Sequence, residues 1–271
     1  MTETAMSDPH LPPEILNHTV DLLHDTEDAL KNCCLVSKSW IPRARKHLFA
    51  DIKFCFETDL QSWKETFPDP STSPAHYAKT LFVGCCHIIT AADAEPGGWI
   101  TGFTCVVNLE LANHAMLFRE SSISFAPFHG ISSVIKSLRV DCVLLLSSQI
   151  LDLVLSFPLL QDLAVLSIAE VVTQNDGGSD GLSTVVQPSS SSIFTGSLEL
   201  SLGRGMKSIV RRLLSLPGGL HLRKLTLTWC HEEDPSLTME LVEECSHTLN
   251  SLDITRATVY CTFIPHLHSH R

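Results

Sequence analysis

Positive charge is scarce in this sequence. Its 271 residues include 19 Lys and Arg against 30 Asp and Glu, so the net charge is −11. Recognition of a phosphate backbone requires a concentrated basic surface, and this composition therefore argues against nucleic-acid binding. The one basic cluster comprises Lys38, Arg43, Arg45, Lys46 and His47, and it falls at the end of a predicted helix, where the helix dipole favours cations.

The sequence also predicts neither a leader sequence nor a membrane span. Residues 1–10 show no basic region followed by an apolar one, so we expect no signal peptide. The ten cysteines are then expected to be reduced thiols of an intracellular protein, in the cytoplasm, the nucleus or both. The longest apolar stretch, residues 143–160, contains Asp152, Pro158 and several serines, which a membrane span would not carry.

Catalytic signatures are also lacking. The sequence has no G-x-S-x-G, H-E-x-x-H or C-x-x-C motif, and residues 203–208 lack the glycine spacing of a dinucleotide loop or a P-loop. His266, His268 and His270 alternate near the C-terminus without a carboxylate or cysteine nearby to complete a metal site. We expect a flexible tail at residues 266–271 and predict no catalytic residue, no metal and no cofactor.

What the sequence does contain is apolar material for a substantial core, since 44% of its residues are hydrophobic. Residues 11–52 are predicted to form three short helices. Pro13 is well placed as the first residue of the first helix, Asp25 or Thr26 can cap the second, and the third should start near Ser39, with Pro42 in its first turn.

The first of these helices carries two apolar stripes instead of one. Ile15 and Leu22 form one stripe, whereas Leu16, Val20 and Leu23 form the other. A helical module of about 40 residues cannot normally build a stable core alone. We therefore predict that the module presents an apolar surface to another protein.

The same segment resembles a known family. Its hallmarks are Leu11-Pro12-x-Glu14-Ile15-Leu16, then Leu30, then Leu35-Val36-Ser37-Lys38-x-Trp40. In this order and spacing they resemble the F-box, and residues 36–49 are similar to the large F-box families of basidiomycete fungi. The resemblance implies that the module docks on the Skp-type adaptor of a cullin–RING ubiquitin ligase of the SCF type. The adaptor-binding residues that it implies are Leu11, Pro12, Pro13, Glu14, Ile15, Leu16, Leu30, Leu35, Val36 and Trp40.

An apolar-x-x-Leu-x-apolar pattern recurs through the rest of the chain. Its centres are Leu81, Leu109, Leu138, Leu163, Leu198, Leu225 and Leu252. Successive centres are 25 to 29 residues apart except for one step of 35, which contains a Gly- and Ser-rich insertion at residues 174–192. Helices are predicted between strands at residues 149–157, 206–216 and 239–247. A strand followed by a helix, repeated at this period, predicts a solenoid with a parallel sheet.

The repeats resemble the leucine-rich-repeat class imperfectly, because the asparagine or cysteine expected after each strand is matched only by Cys230. The predicted fold class is α+β, with a three-helix F-box followed by an α/β leucine-rich-repeat-like solenoid. A different α/β fold with a parallel sheet stays open. The expected domains are a flexible tail at 1–10, the F-box at 11–52, a connector at 53–80 that contains a helix, the solenoid at 81–265 and a flexible tail at 266–271.

Alternation along each strand sends the residues between the apolar positions to the concave sheet face, where solenoids usually bind proteins. The target-binding candidates on this face are Glu110, Arg139, Asp141, Asp162, Glu199, Lys224, Thr226, Thr228 and Asp253, accompanied by Ala112, Ala164, Ser201 and Thr255. The expected partners are therefore a Skp-type adaptor, through it a cullin, and an unknown target protein, with no nucleic acid and no membrane.

The sequence thus predicts a non-catalytic substrate receptor of a ubiquitin ligase. Two alternatives remain at this stage. One is a hydrolase or transferase with a degenerate active site in a parallel α/β domain. The other is an F-box protein that acts as a scaffold outside the ligase.

Overall fold

The computed structural model describes most of the chain in two compact units. The described residues are 12–84, 89–112, 126–129, 131, 133–141, 144–145, 152–166, 169–170, 194–202, 206–216, 218–229 and 235–256. The first unit comprises Met1–Leu117 with Ser124–Lys136, and the second comprises Phe118–Ile123 with Ser137–Arg271. Leu11, both predicted tails and the insertion at 174–192 lie outside the described residues.

The first unit begins with the three predicted helices, α1 (Pro13–Leu22), α2 (Glu27–Val36) and α3 (Ile41–Leu48). Pro13 starts α1 as expected, and Pro42 lies in the first turn of α3, where its missing N–H costs nothing. The third helix begins slightly later than expected, because Trp40 and not Ser39 occupies its N-cap. The helices share a small core of Val20, Leu30, Cys33 and Ala44, packed against Leu23, Cys34, Trp40 and Leu48.

Three parallel strands follow in the same unit: β1 (Asp51–Phe54), β2 (Thr80–Val83) and β3 (Asn108–Ala112). Ile52 aligns with Leu81, and Leu81 aligns with Leu109. Strand β1 crosses the expected boundary between the F-box and the connector, so sheet formation starts one strand earlier than the leucine pattern indicates. The predicted connector helix is present as α4 (Glu57–Thr66).

An aromatic cluster packs beneath these strands. The rings of Phe54 and Trp99 meet edge to face at 5.3 Å, and Trp63 lies 5.6 Å from Phe54. Trp99 Nε1 donates to Asp93 at 2.9 Å, and the Lys64 ammonium lies 2.7 Å from the same carboxylate. Burial alone would raise the pKa of Asp93, but Lys64 and the donors of Thr90 outweigh it and hold the pKa below its ordinary value.

The second unit continues the same pattern of strands. Its strands are β4 (Ser137–Asp141), β5 (Leu144–Leu145), β6 (Asp162–Leu166), β7 (Ala169–Glu170), β8 (Phe194–Leu202), β9 (Leu220–Trp229) and β10 (Ser251–Arg256). The five longer strands pair in parallel in chain order, and β5 and β7 form a separate two-residue ladder. The aligned repeat centres are Leu138, Leu163, Leu198, Leu225 and Leu252.

Helices separate several of these strands, as the pattern predicts. Residues 152–155 are helical within the helix expected at 149–157. Helix α5 (Met206–Leu214) confirms the helix expected at 206–216, and α6 (Pro235–Cys245) begins four residues before the expected start. Their apolar residues Ile209, Val210, Leu213, Leu241 and Cys245 are buried.

Burial follows the alternation that the repeats predict. Leu138, Val140, Leu163 and Val165 are at most 2% exposed, while their neighbours along the strands are more accessible. Strand β10 differs, because Leu252 is 44% exposed and Ile254 is 52% exposed. The structure therefore confirms a mixed helix and strand fold, with a helical N-terminal region followed by parallel strands.

Candidate functional site

The first candidate surface lies on the helical module, where α1 divides its apolar side chains into two sets. Val20 is 1% exposed and belongs to the core, and Leu16 and Leu23 are partly buried. Ile15 and Leu22 are 51% and 69% exposed. The two predicted stripes are confirmed, because one faces the core and the other faces solvent.

The second helix also exposes large apolar side chains, at its C-terminal end. Leu35 is 84% exposed and Val36 is 69% exposed. We call Ile15, Leu22, Leu35 and Val36 the exposed apolar set. Large apolar side chains at this exposure mark interaction sites when they occur together. Leu22 is absent from the residues that the F-box resemblance implies, although its stripe with Ile15 identifies it.

The remaining residues implied by the resemblance divide between surface and core. Pro12, Pro13 and Glu14 are exposed, and Trp40 is partly buried against the core. Leu30 is 1% exposed and packs among Val20, Cys33 and Ala44, so it holds the helices together and has no surface to offer a partner. The structure thus gives Leu30 a role in the module's own core, which differs from the exposed position of Ile15 and Leu35.

An ionic clamp joins α1 to α3. Arg43 donates from Nε and Nη2 to the two carboxylate oxygens of Asp21, at 2.5 Å each. His47 Nε2 lies 2.7 Å from Asp21 Oδ1. The hydrogen bonds from Arg43 and then His47 lower the pKa of Asp21 well below its ordinary range. We call Asp21, Arg43 and His47 the Asp21 clamp.

The second candidate surface is the sheet face of the second unit. Its outward residues lie in rows across the strands, and the central row contains Arg139, Ala164, Glu199, Thr226 and Asp253. Arg139 and Glu199 stand two strands apart, and their charged groups approach to 3.9 Å. The small side chain of Ala164 between them allows these long side chains to meet.

The flanking rows are rich in hydroxyl groups. The row before the central one runs through Ser137, Asp162, Ser197, Lys224 and Ser251. In this row the Ser197 hydroxyl donates to the Asp162 carboxylate. In the row after the central one, the hydroxyls of Thr228 and Thr255 lie 3.2 Å apart. Every target-binding candidate predicted in this unit is at least partly accessible; they are Arg139, Asp141, Asp162, Glu199, Lys224, Thr226, Thr228 and Asp253.

The first unit has its own sheet face, which the sequence pattern captures only in part. Lys53, Phe82 and Glu110 are aligned across β1, β2 and β3, and Phe82 is partly exposed among polar neighbours. The sequence pattern identifies Glu110 but misses Lys53 and Phe82, because it places residues 51–54 in the F-box and the connector. Ala112, expected on this face, is 2% exposed and is therefore part of the core.

Pockets, groups of metal-binding side chains and membrane-spanning helices are the other features that could indicate a site. A shallow pocket of about 380 Å³ in the first unit is lined by Asp69, Ser71, His76 and Thr101, among others. Within the described ranges, no three His, Cys, Asp or Glu side chains are grouped closely enough to hold a metal ion. None of the helices in the part of the chain that the structure describes has the length and apolar character to cross a membrane.

The two sheet faces and the exposed apolar set are thus surfaces suited to protein contacts. Comparison of the sequence with the profiles of known protein families and with curated proteins finds no match.

Proposed function

We propose that this chain is the substrate-recognition subunit of a cullin–RING ubiquitin ligase of the SCF type. In this proposal the helical module acts as an F-box that binds a Skp-type adaptor, and the sheet faces of a leucine-rich-repeat-like solenoid bind a target protein. The observation that carries the proposal is the division of α1 into a buried stripe and an exposed stripe, accompanied by the exposed end of α2.

The exposed apolar set supports a partner of the helical module for an energetic reason. Full burial of one Leu, Ile or Val side chain contributes about 1.5–3 kcal/mol, so leaving four of them in water forgoes a large stabilisation. These four side chains lie outside the small core of the module, which comprises Val20, Leu30, Cys33 and Ala44 with the side chains packed against them. A second polypeptide that packs on Ile15, Leu22, Leu35 and Val36 would recover this free energy.

The register of the strands supports the leucine-rich-repeat part of the proposal. Within each unit the repeat centres align directly, for example Leu163 with Leu198 and Leu198 with Leu225. A parallel sheet in chain order with buried centres is what stacked strand–helix repeats produce. The polar face that results carries both charges and hydroxyl groups, which suits recognition of a protein more than burial of an apolar ligand.

Such a receptor would act by proximity. The adaptor would hold the helical module, the sheet faces would hold the target, and the effective concentration of a target lysine near the ligase would rise. This chain would contribute binding and orientation, and the chemistry would belong to other subunits.

Co-purification with a Skp-type adaptor tests the proposal. The double variant Ile15→Asp with Leu35→Asp should lose the adaptor, because docking would bury two uncompensated carboxylates. Met239→Asp is the matched control, since Met239 is 55% exposed on α6 and lies outside the helical module. Retention of the adaptor by the double variant would remove the assignment. Capture of the adaptor without a cullin would favour a scaffold over a ligase receptor.

A further inference from the structure

The position of Asp21 on α1 gives the ionic clamp a geometric role. Val20, one residue earlier, is buried in the core, and Leu22, one residue later, is 69% exposed. Each residue of a helix advances the side chain by about 100° around the axis. Asp21 therefore lies on the flank of α1, between the buried stripe and the exposed stripe, where a fixed contact controls rotation of the helix.

The contacts of Asp21 are suited to that control. The planar guanidinium of Arg43 engages both carboxylate oxygens at 2.5 Å, and His47 adds a third contact at 2.7 Å from the next turn of α3. A bidentate pair fixes orientation as well as distance, unlike a single ammonium contact. Because the pKa of Asp21 is lowered, the carboxylate stays ionised throughout the physiological pH range.

Rotation of α1 would disturb the exposed apolar set. With side chains about 5 Å from the helix axis, a rotation of about 20° would move Ile15 and Leu22 by roughly 2 Å. Leu35 and Val36 are carried by a different helix, α2, and would not follow. The relative positions of the two halves of the set therefore depend on the rotation of α1.

We propose that Asp21 is a positioning residue for adaptor binding. Clamped by Arg43 and His47, it fixes the rotation of α1, and it thereby places Ile15 and Leu22 correctly relative to Leu35 and Val36. This inference rests on the proposed adaptor-binding function and assigns no contact with the adaptor to Asp21 itself.

A double-mutant cycle on the full chain tests the clamp. The affinity for a purified Skp-type adaptor is measured by calorimetry for the wild type, Asp21→Asn, Arg43→Gln and the double variant. Each single change should weaken binding by about tenfold, and the double variant should be no weaker than either single one, because both changes break one interaction. Glu27→Gln is the matched control, since it removes a carboxylate from an exposed ion pair with Lys31 within α2, and it should bind as the wild type does.

The outcomes separate this inference from the function on which it rests. Failure of the wild type to bind the adaptor would overturn both. Binding by the wild type with no loss in Asp21→Asn would overturn the clamp and leave the function standing. Additive losses in the double variant would also overturn it, because they would indicate separate contacts with the adaptor.

Hydrogen exchange distinguishes a rotated helix from an unfolded module. If amides of α1 lose their protection in Asp21→Asn, Arg43→Lys provides the decisive measurement, because it keeps the cation but loses the bidentate fork. An intermediate loss of affinity in Arg43→Lys with α1 still protected supports the positioning role. Wild-type affinity in that variant would contradict it.

Discussion

At Gly196 the backbone leaves no room for a side chain. Its φ is +154°, and a Cβ atom built there would lie 1.8 Å from the carbonyl oxygen of Gln161, beside a register shift between β8 and β9. Gly196→Ala should therefore destabilise the fold by about 1–3 kcal/mol in urea unfolding followed by circular dichroism. Gly97 is the control, because its φ is +93° but nothing lies within 4 Å of its Cβ position. Equal effects of alanine at both positions would contradict the steric explanation.

Asp93 makes a pH-dependent contribution to the stability of the folded protein. Folding lowers its pKa, so the stabilisation is complete above the unfolded-state pKa, near 3.8, and is lost as the pH falls through the folded-state value. Asp93→Asn should lower the melting temperature at pH 7 and pH 5, because it leaves Lys64 without its carboxylate. The difference from the wild type should shrink below about pH 4.

Thermal unfolding at several pH values measures this effect. Asp28→Asn is a suitable control, because the Asp28 side chain is 93% exposed and its ion pair with Lys31 is long, at 4.0 Å. Such an exposed pair contributes little to stability. A difference between Asp93→Asn and the wild type that persists unchanged to pH 3 would show that the ionised carboxylate is not its cause.

At the scale of the elements, periodicity predicted most of the strands and missed the first one. The leucine centres mark their strands because a leucine recurs at the same place in each repeat, and it is buried in every one of them except Leu252. Strand β1 has Phe49, Ile52 and Phe54 at the equivalent positions, so the same pattern is present with isoleucine at its centre. A pattern that requires leucine at the centre omits β1, whereas a pattern that accepts any apolar residue includes it.

Ile52 and Leu252 occupy equivalent positions in their repeats, but alanine at these positions should change the free energy of unfolding by different amounts. Both are repeat centres, but Ile52 is 6% exposed and Leu252 is 44% exposed. Ile52→Ala should cost about 2–4 kcal/mol of unfolding free energy, because it removes buried methyl groups and leaves a cavity. Leu252→Ala should cost less than about 1 kcal/mol. Equal losses in urea unfolding would contradict the burial that separates them.

Over the whole molecule, the features that a regular spacing of apolar residues determines could be predicted from the sequence. The features that depend on how the helices pack together could not. The strands with leucine centres and the two stripes of α1 follow from periodicity, and the three N-terminal helices follow from apolar spacing together with proline positions and capping residues. The core position of Leu30 does not, because an F-box-like motif fixes the order of apolar residues and leaves their burial undetermined. The Asp21 clamp also escaped prediction, since Asp21 and Arg43 are distant in sequence and only the packing of α1 on α3 brings them together.

The pairing of each strand with its neighbour in the chain affects how the protein acquires its structure. In both units the strands that pair with each other lie about one repeat apart in the sequence, so the loops that must close during folding are of similar, moderate length. Order can then spread from one strand to the next, starting at whichever pair assembles first. We expect such a chain to become structured progressively as it leaves the ribosome, without waiting for its last residues.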